Sequence, residues 1–275
     1  MHFSSTYRLI PLLLAAIALL IVATANSFAQ GGDRMTHTQR EIERQRQRLG
    51  SSEIEERRDA LMRLSTLKRP DAARVAIVGL NDPAPAVRVA AAHAIMSLPP
   101  AEAVALLTPL LQDKLEFVRR EAAYSLGETR SRAAVEPLAN ALLSDTEAGV
   151  RGAAAVALGQ IRDETAVPAL VQALSGSGSS PTKKKKSKAL ENEFVLRAAA
   201  RSLGQIRSRA ALNVLIAALG NQDYPGDVRR EAAIALGLIG DTAAVPALRA
   251  ALLSDDPYLS ASAREALRRL RVSVN

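Results

Sequence analysis

His37, His93 and a recurring series of arginines, Arg88, Arg119, Arg151 and Arg229, are the residues of this 275-residue chain whose types and spacing could carry chemistry. An imidazole can ligate a metal or move a proton, but only with partner groups held beside it. His37 lies in a polar N-terminal stretch. His93 stands at a position filled elsewhere in the chain by Tyr124, Val156, Arg201, Ile234 and Glu265. A position that variable belongs to a helix edge. The chain has no cysteine, so it offers neither a thiol nucleophile nor a disulfide. It has no glycine-rich phosphate loop and no nucleophile elbow. We therefore expect no catalytic residue, no metal ligand and no cofactor, and a protein that is not an enzyme. The arginines could form a basic stripe for an anionic ligand. Each, however, recurs once per unit near a recurring aspartate, and the pattern predicts a ladder in which each arginine bonds an aspartate or a carbonyl of an adjacent turn.

The unit that positions these residues is a repeat. "VRREAAYSLG" (118–127) returns as "VRGAAAVALG" (150–159) and "VRREAAIALG" (228–237), with drift as "VRVAAAHAIM" (87–96) and "VLRAAARSLG" (195–204). Degenerate copies, "ERRDALMRLS" (56–65) and "LSASAREALR" (259–268), stand at the two ends. Successive starts differ by 31–33 residues except for one step of 45, between 150 and 195. A second apolar segment follows most copies, as in "AVEPLANAL" (134–142) and "AVPALVQAL" (166–174). Both segments carry apolar residues at i, i+3, i+4 and i+7, the helical period. Gly127, Gly159, Gly204 and Gly237 fit the left-handed turn that ends the first helix. Asp82, Asp145 and Asp255 precede the next first helix, where a carboxylate caps free N–H groups. Ser52 and Glu55 form a capping-box pattern ahead of the first copy. One helix pair cannot bury its apolar faces alone, whereas stacked pairs can.

The recurring "VRxxAAxALGxIxDxxAVPAL" resembles the HEAT-like repeat of the phycobilisome-lyase type over residues 52–270. The resemblance implies an all-α fold, an α-solenoid of about seven helix–turn–helix units wound as a right-handed superhelix. It also implies that the second helices line the concave face. A tetratricopeptide array has a similar period, but the Val-Arg pair and the "AVPAL" segment fit it poorly. Deoxyhypusine hydroxylase shares such repeats, and its iron site needs paired His-Glu motifs that do not occur here. The family includes bilin lyases and isomerases, which gives one alternative function.

The ends and one insertion depart from the repeat. Residues 1–29 read as a secretory signal: Arg8, an apolar run over 9–25, then Ser27 and Ala29 at the −3 and −1 positions of a cleavage site. An uncleaved anchor is the other reading, against which stand Pro11 and a run shorter than a span needs. Residues 30–51 are polar and 271–275 form a short tail. The 45-residue step contains "SGSGSSPTKKKKSK", which predicts a disordered loop over 175–189. The formal net charge of +8 falls to +2 without Arg8 and the five lysines Lys183, Lys184, Lys185, Lys186 and Lys188. The lysines are expected to solubilise the loop, with contact to an anionic surface as the alternative. Export argues against nuclear import or nucleic acid as their purpose.

Binding is expected where the repeats differ. Positions three and seven of the second segment point away from its apolar stripe. They are Arg74 and Val78, Ala105 and Pro109, Glu136 and Asn140, Pro168 and Gln172, Asn213 and Ala217, and Pro246 and Ala250; position six adds Thr108 and Arg249. The face is mixed in charge and lacks an aromatic platform for bases or sugars. These residues point to a protein partner and to an exported, non-enzymatic scaffold or adaptor.

Overall fold

A computed structural model describes residues 35–176 and 185–272. The described secondary structure is helical, with no strand. Two units are distinguished, residues 1–44 and 45–275. The described part of the first is the opening of helix α1 (His37–Arg48). Here Thr36 and Gln39 cap one another: the Thr36 N–H donates to Gln39 Oε1 at 2.7 Å and the Gln39 N–H to Thr36 Oγ1 at 3.2 Å. This reciprocal box is the one the sequence suggests at Ser52 and Glu55. There the helix instead starts after Glu53, with no side-chain cap on its free N–H groups.

The second unit is the repeat array. Its layers pair α2 (Ile54–Thr66) with α3 (Pro70–Ala76), α4 (Pro85–Ala94) with α5 (Pro100–Leu107), and α6 (Glu116–Glu128) with α7 (Val135–Ser144). They continue with α8 (Ala148–Ile161) and α9 (Val167–Leu174), α10 (Lys185–Ile206) and α11 (Leu212–Gly220), and α12 (Gly226–Ile239) and α13 (Val245–Ala251). The lone α14 (Pro257–Arg269) closes the series. Each first helix packs on the first helix of the next layer, and second helices follow one another beside them. The core is a ladder of equivalent aliphatic side chains. Leu64, Ile95, Leu126, Leu158, Leu203, Leu236 and Leu267 are all 0–1% exposed, each contributing up to about 2 kcal/mol of apolar burial. Alanines between them, such as Ala122, Ala153 and Ala232, are fully buried and let the helices approach closely.

Gly127, Gly159, Gly204 and Gly237 do not end their helices. They lie inside α6, α8, α10 and α12 and serve close packing. A Cβ on Gly204 would stand 2.7 Å from Ala235 Cα, and one on Gly237 2.8 Å from Ala266 Cα. The left-handed residue comes three positions later. It is glycine once, Gly240 with φ 81°, and otherwise basic: Lys68, Arg130, Arg162, Arg207 and Arg271 have φ of 50–61°. A non-glycine residue there costs about 1 kcal/mol.

The second helices open through short 3₁₀ turns. Asp163, Ser208 and Asp241 cap these turns by accepting from the N–H two residues on. Pro168 and Pro246 sit in the first turn of α9 and α13, where a missing N–H is harmless. Ahead of the first helices, Asp82 and Asp145 each accept the N–H two residues on, from Ala84 and Glu147. At α14 the capping residue is Asp256, not Asp255, accepting from the Tyr258 N–H at 2.9 Å.

Helix α10 begins at Lys185, so the insertion ends earlier than the 189 expected from composition. Lys, Ala, Leu and Glu after that point are good helix formers with no breaker among them. Residues 177–184, with Lys183 and Lys184, lie outside the described residues, as does the segment 1–29. The stack is continuous across the insertion. Phe194 fills the space left by Gly152, Ser202 Oγ donates to Ala155 O at 2.7 Å, and Tyr224 Oη donates to Leu174 O at 2.7 Å.

Candidate functional site

The recurring arginines form the expected ladder. Arg88 Nε and Nη2 donate to Asp113 at 2.7 and 2.9 Å, and its Nη1 to the carbonyls of Asp82 and Pro83. Arg119 makes the same fork with Asp145, at 2.7 and 3.0 Å. Arg57 forks Asp82 at 2.7 and 2.9 Å. The sequence reading missed Arg57 because its repeat copy is degenerate, although Arg57 occupies the same register. Arg151 donates to the carbonyls of Asp145 and Thr146, and Arg229 to that of Leu219. The guanidinium forks thus tie one layer to the next, and Arg88 is only 7% exposed.

This wiring makes the array acid-sensitive. Arg57 holds the Asp82 carboxyl below the ordinary carboxylate range, against the effect of burial. Burial pushes the Asp113 carboxyl up, but the Arg88 fork and the Leu115 N–H outweigh it and its net shift is downward. Each carboxyl binds its proton less readily in the folded chain than in the unfolded one. The stabilisation is therefore complete above the unfolded value near pH 4 and is lost as pH falls through the lower folded values. A thermal midpoint level from pH 7 to about 5 and falling below about 4 is expected. Asp113→Asn should start lower at pH 7 and lose less on acidification, which calorimetry across that range would check.

His93 is exposed on α4, its Nε2 3.7 Å from Glu121 of the next layer, and His37 is exposed at the start of α1. Among the described residues no group of three or more His, Cys, Asp or Glu could hold a metal ion. No described helix is long and apolar enough to cross a membrane.

The second-helix face is where unlike residues come to the surface. Arg74, Val78, Ala105, Pro109, Glu136, Asn140, Pro168, Gln172, Asn213, Ala217, Pro246, Arg249 and Ala250 are all exposed. Between them Ala103, Leu138, Leu170, Leu215 and Leu248 are buried. The i, i+4 spacing therefore sorts these helices into an inner and an outer stripe, as read from the sequence. Thr108 is half-buried, and its hydroxyl donates to Val104 O at 2.8 Å, satisfied within its own turn. Arg74 stands 3.6 Å from Glu102 of the next layer. A cavity of about 520 Å³ lies beside Arg74 and Val78, lined also by Arg46, Asp71 and Val75. A second, of about 600 Å³, lies between the last layers around Arg229, Asp255 and Leu253. Leu253 is 87% exposed and escapes the sequence reading, because it stands just past the periodic segment. The side chains of Lys183, Lys184, Lys185, Lys186 and Lys188 lie outside those described.

Stacked helix pairs with one apolar seam and one variable face define a helical-repeat solenoid. The profile for HEAT repeats matches residues 42–127, 116–185 and 187–268; the chain belongs to the HEAT-repeat family. Among solved structures it is similar to the karyopherin Kap121p bound to the extreme C-terminus of the protein phosphatase Cdc14p. That match has 12% identity over 98% of this chain and 34% of the other, with a TM-score of 0.59. The complex of CpcE and CpcF of phycocyanin lyase from Nostoc sp. PCC7120 is 24% identical over 87% of this chain and 88% of the other, with a TM-score of 0.48. Human deoxyhypusine hydroxylase in complex with glycerol is 22% identical over 84% and 96%, with a TM-score of 0.41. At these identities the likeness concerns the fold alone. No curated protein matches the chain significantly.

Proposed function

We propose that this chain is a non-enzymatic scaffold that binds a protein partner along the exposed face of its second helices, and that it works outside the cytoplasm. The observation that carries the reading is the outward stripe of those helices. Its residues differ from layer to layer while the buried stripe hardly changes. A face that served only solubility would be richer in charge; this one alternates small, amide and apolar side chains, with Arg74, Glu136 and Arg249 as its charges. Few charges and several carboxamides suit a partner recognised by shape and hydrogen bonds. The central layers, with Glu136, Asn140, Gln172 and Asn213, would form the middle of that contact.

The test is capture from a native cell-envelope extract by the tagged chain, alongside the variant Glu136→Lys/Gln172→Lys. Both side chains are exposed, so the variant should keep its stability within about 0.5 kcal/mol. One protein retained in stoichiometric amount at low and high salt, and lost from the variant, is the expected result. Equal retention by both would contradict the face. Export is tested separately by the mass of the chain isolated from its native source: cleavage after Ala29 leaves Gln30 as the first residue.

A further inference from the structure

The turn edge of the array, at the ends of the first helices, carries a basic residue in left-handed geometry in five of the seven layers; the second layer has Pro99 there, with φ −51°. Lys68, Arg130, Arg162, Arg207 and Arg271 occupy one structural position, with φ of 50–61°. All are exposed, and none has an ion-pair partner among the described residues. Gly240 fills the same position in the sixth layer, with φ 81°, so glycine is the unstrained solution and fits this fold. The helix dipole favours a cation near a helix C-terminus. That gain is available without strain one turn earlier, where α2 and α14 carry Arg63, Arg268 and Arg269; α6, α8 and α10, which precede Arg130, Arg162 and Arg207, have no basic residue there. Non-glycine residues held in this region cluster at functional sites.

We infer that this edge is a second docking surface, distinct from the second-helix face, for an extended acidic segment of a protein partner. Arginine fills four of the five positions and matches a carboxylate with two parallel N–H bonds. Arg130, Arg162 and Arg207 stand in three successive layers, and stacked helices lie about 8–10 Å apart. An extended chain advances about 3.3 Å per residue, so an acidic residue at every third position meets successive arginines. Asp163 and Asp241, on the same edge, are held at 3.3 Å by Arg132 and Arg209. Glu128 and Glu164, two residues before Arg130 and two after Arg162, are exposed. They would oppose a strand as densely charged as nucleic acid, with a charge about every 1.7 Å, and leave room for a partner charged at intervals. No aromatic residue lies in these turns for bases or sugars to stack on.

The experiment titrates a labelled peptide of six Glu-Ser-Gly triplets into the full chain at physiological salt. A peptide of the same composition with its six glutamates contiguous is the comparison. The spaced peptide should bind at least about tenfold more tightly than the clustered one. The variant Arg130→Gly/Arg162→Gly/Arg207→Gly should lose that binding by at least about tenfold, the scale of three partly exposed Arg–carboxylate pairs acting together. Its thermal midpoint should be unchanged or raised, since glycine relieves the strained turns, so a folding defect cannot mimic the loss. Equal binding of the two peptides would overturn the inference, as would binding that survives the triple substitution. Arginine-dependent binding of phosphatidylglycerol vesicles or single-stranded DNA with no binding of the spaced peptide would overturn it too.

Discussion

Asp113→Ala lowers the stability of the array by about 3–5 kcal/mol, the cost of leaving a buried charge without its partner. Arg88 is 7% exposed, and its fork onto Asp113 joins the second layer to the third. With the carboxylate gone, Arg88 keeps its bonds to the Asp82 and Pro83 carbonyls but loses its counter-charge, and the Leu115 N–H loses its acceptor. Replacing both partners, Arg88→Met with Asp113→Leu, should recover most of the loss, because a buried pair is often no better than apolar side chains of similar volume. Asp145→Ala is the internal comparison. Arg119 is more open to water than Arg88, so that variant should lose less. Urea unfolding of the four proteins checks the order. A change below about 1 kcal/mol for Asp113→Ala would show that the ladder does not hold the layers together.

Gly204→Ala is expected to cost about 2–3 kcal/mol, as overpacking at a backbone contact. The new methyl would meet Ala235 Cα at 2.7 Å and Ala235 Cβ at 2.8 Å. Neither atom is the end of a flexible side chain, so α10 and α12 must move apart. That movement opens the seam where Leu203 and Leu236 are fully buried. Gly220→Ala provides the contrast. It stands at the end of α11 with nothing within 4 Å of an added Cβ, and the substitution should be neutral or stabilising by about 0.5 kcal/mol. The pair separates close packing from backbone freedom, since both glycines are helical and only one touches a neighbour. Equal effects at the two sites would contradict the packing role.

The period of the chain makes the array legible in the residues themselves, because every layer repeats the same burial problem. Apolar spacing sorts the second helices correctly, down to Gln172 exposed and Leu170 buried. The arginine ladder is legible for the same reason: a charge recurring beside a recurring aspartate implies a recurring bond. What escapes is geometry that residue type does not encode. Gly204 reads as a helix terminator, yet what selects it is the approach of Ala235 from the next layer. Nothing in the chemistry of Arg207 announces its left-handed backbone, with φ 61°. Asp255 and Asp256 stand side by side, and only the course of the chain into α14 decides which caps it. The end of the insertion is misplaced by composition because lysine favours helix as readily as it favours solvent. The second-helix stripe is found as a surface, but periodicity reports which side faces out and not what lies against it.

Site-directed photo-crosslinking distinguishes a partner held on the second helices from one held elsewhere on the array. A photo-reactive side chain is placed at Gln172 on the second-helix face or, in a separate protein, at His93 on α4, and each is irradiated in native envelope extract. One adduct of a single added mass is expected from position 172 and none from position 93. An adduct from position 93 alone, or none from either, would contradict a scaffold that binds its partner through the second helices.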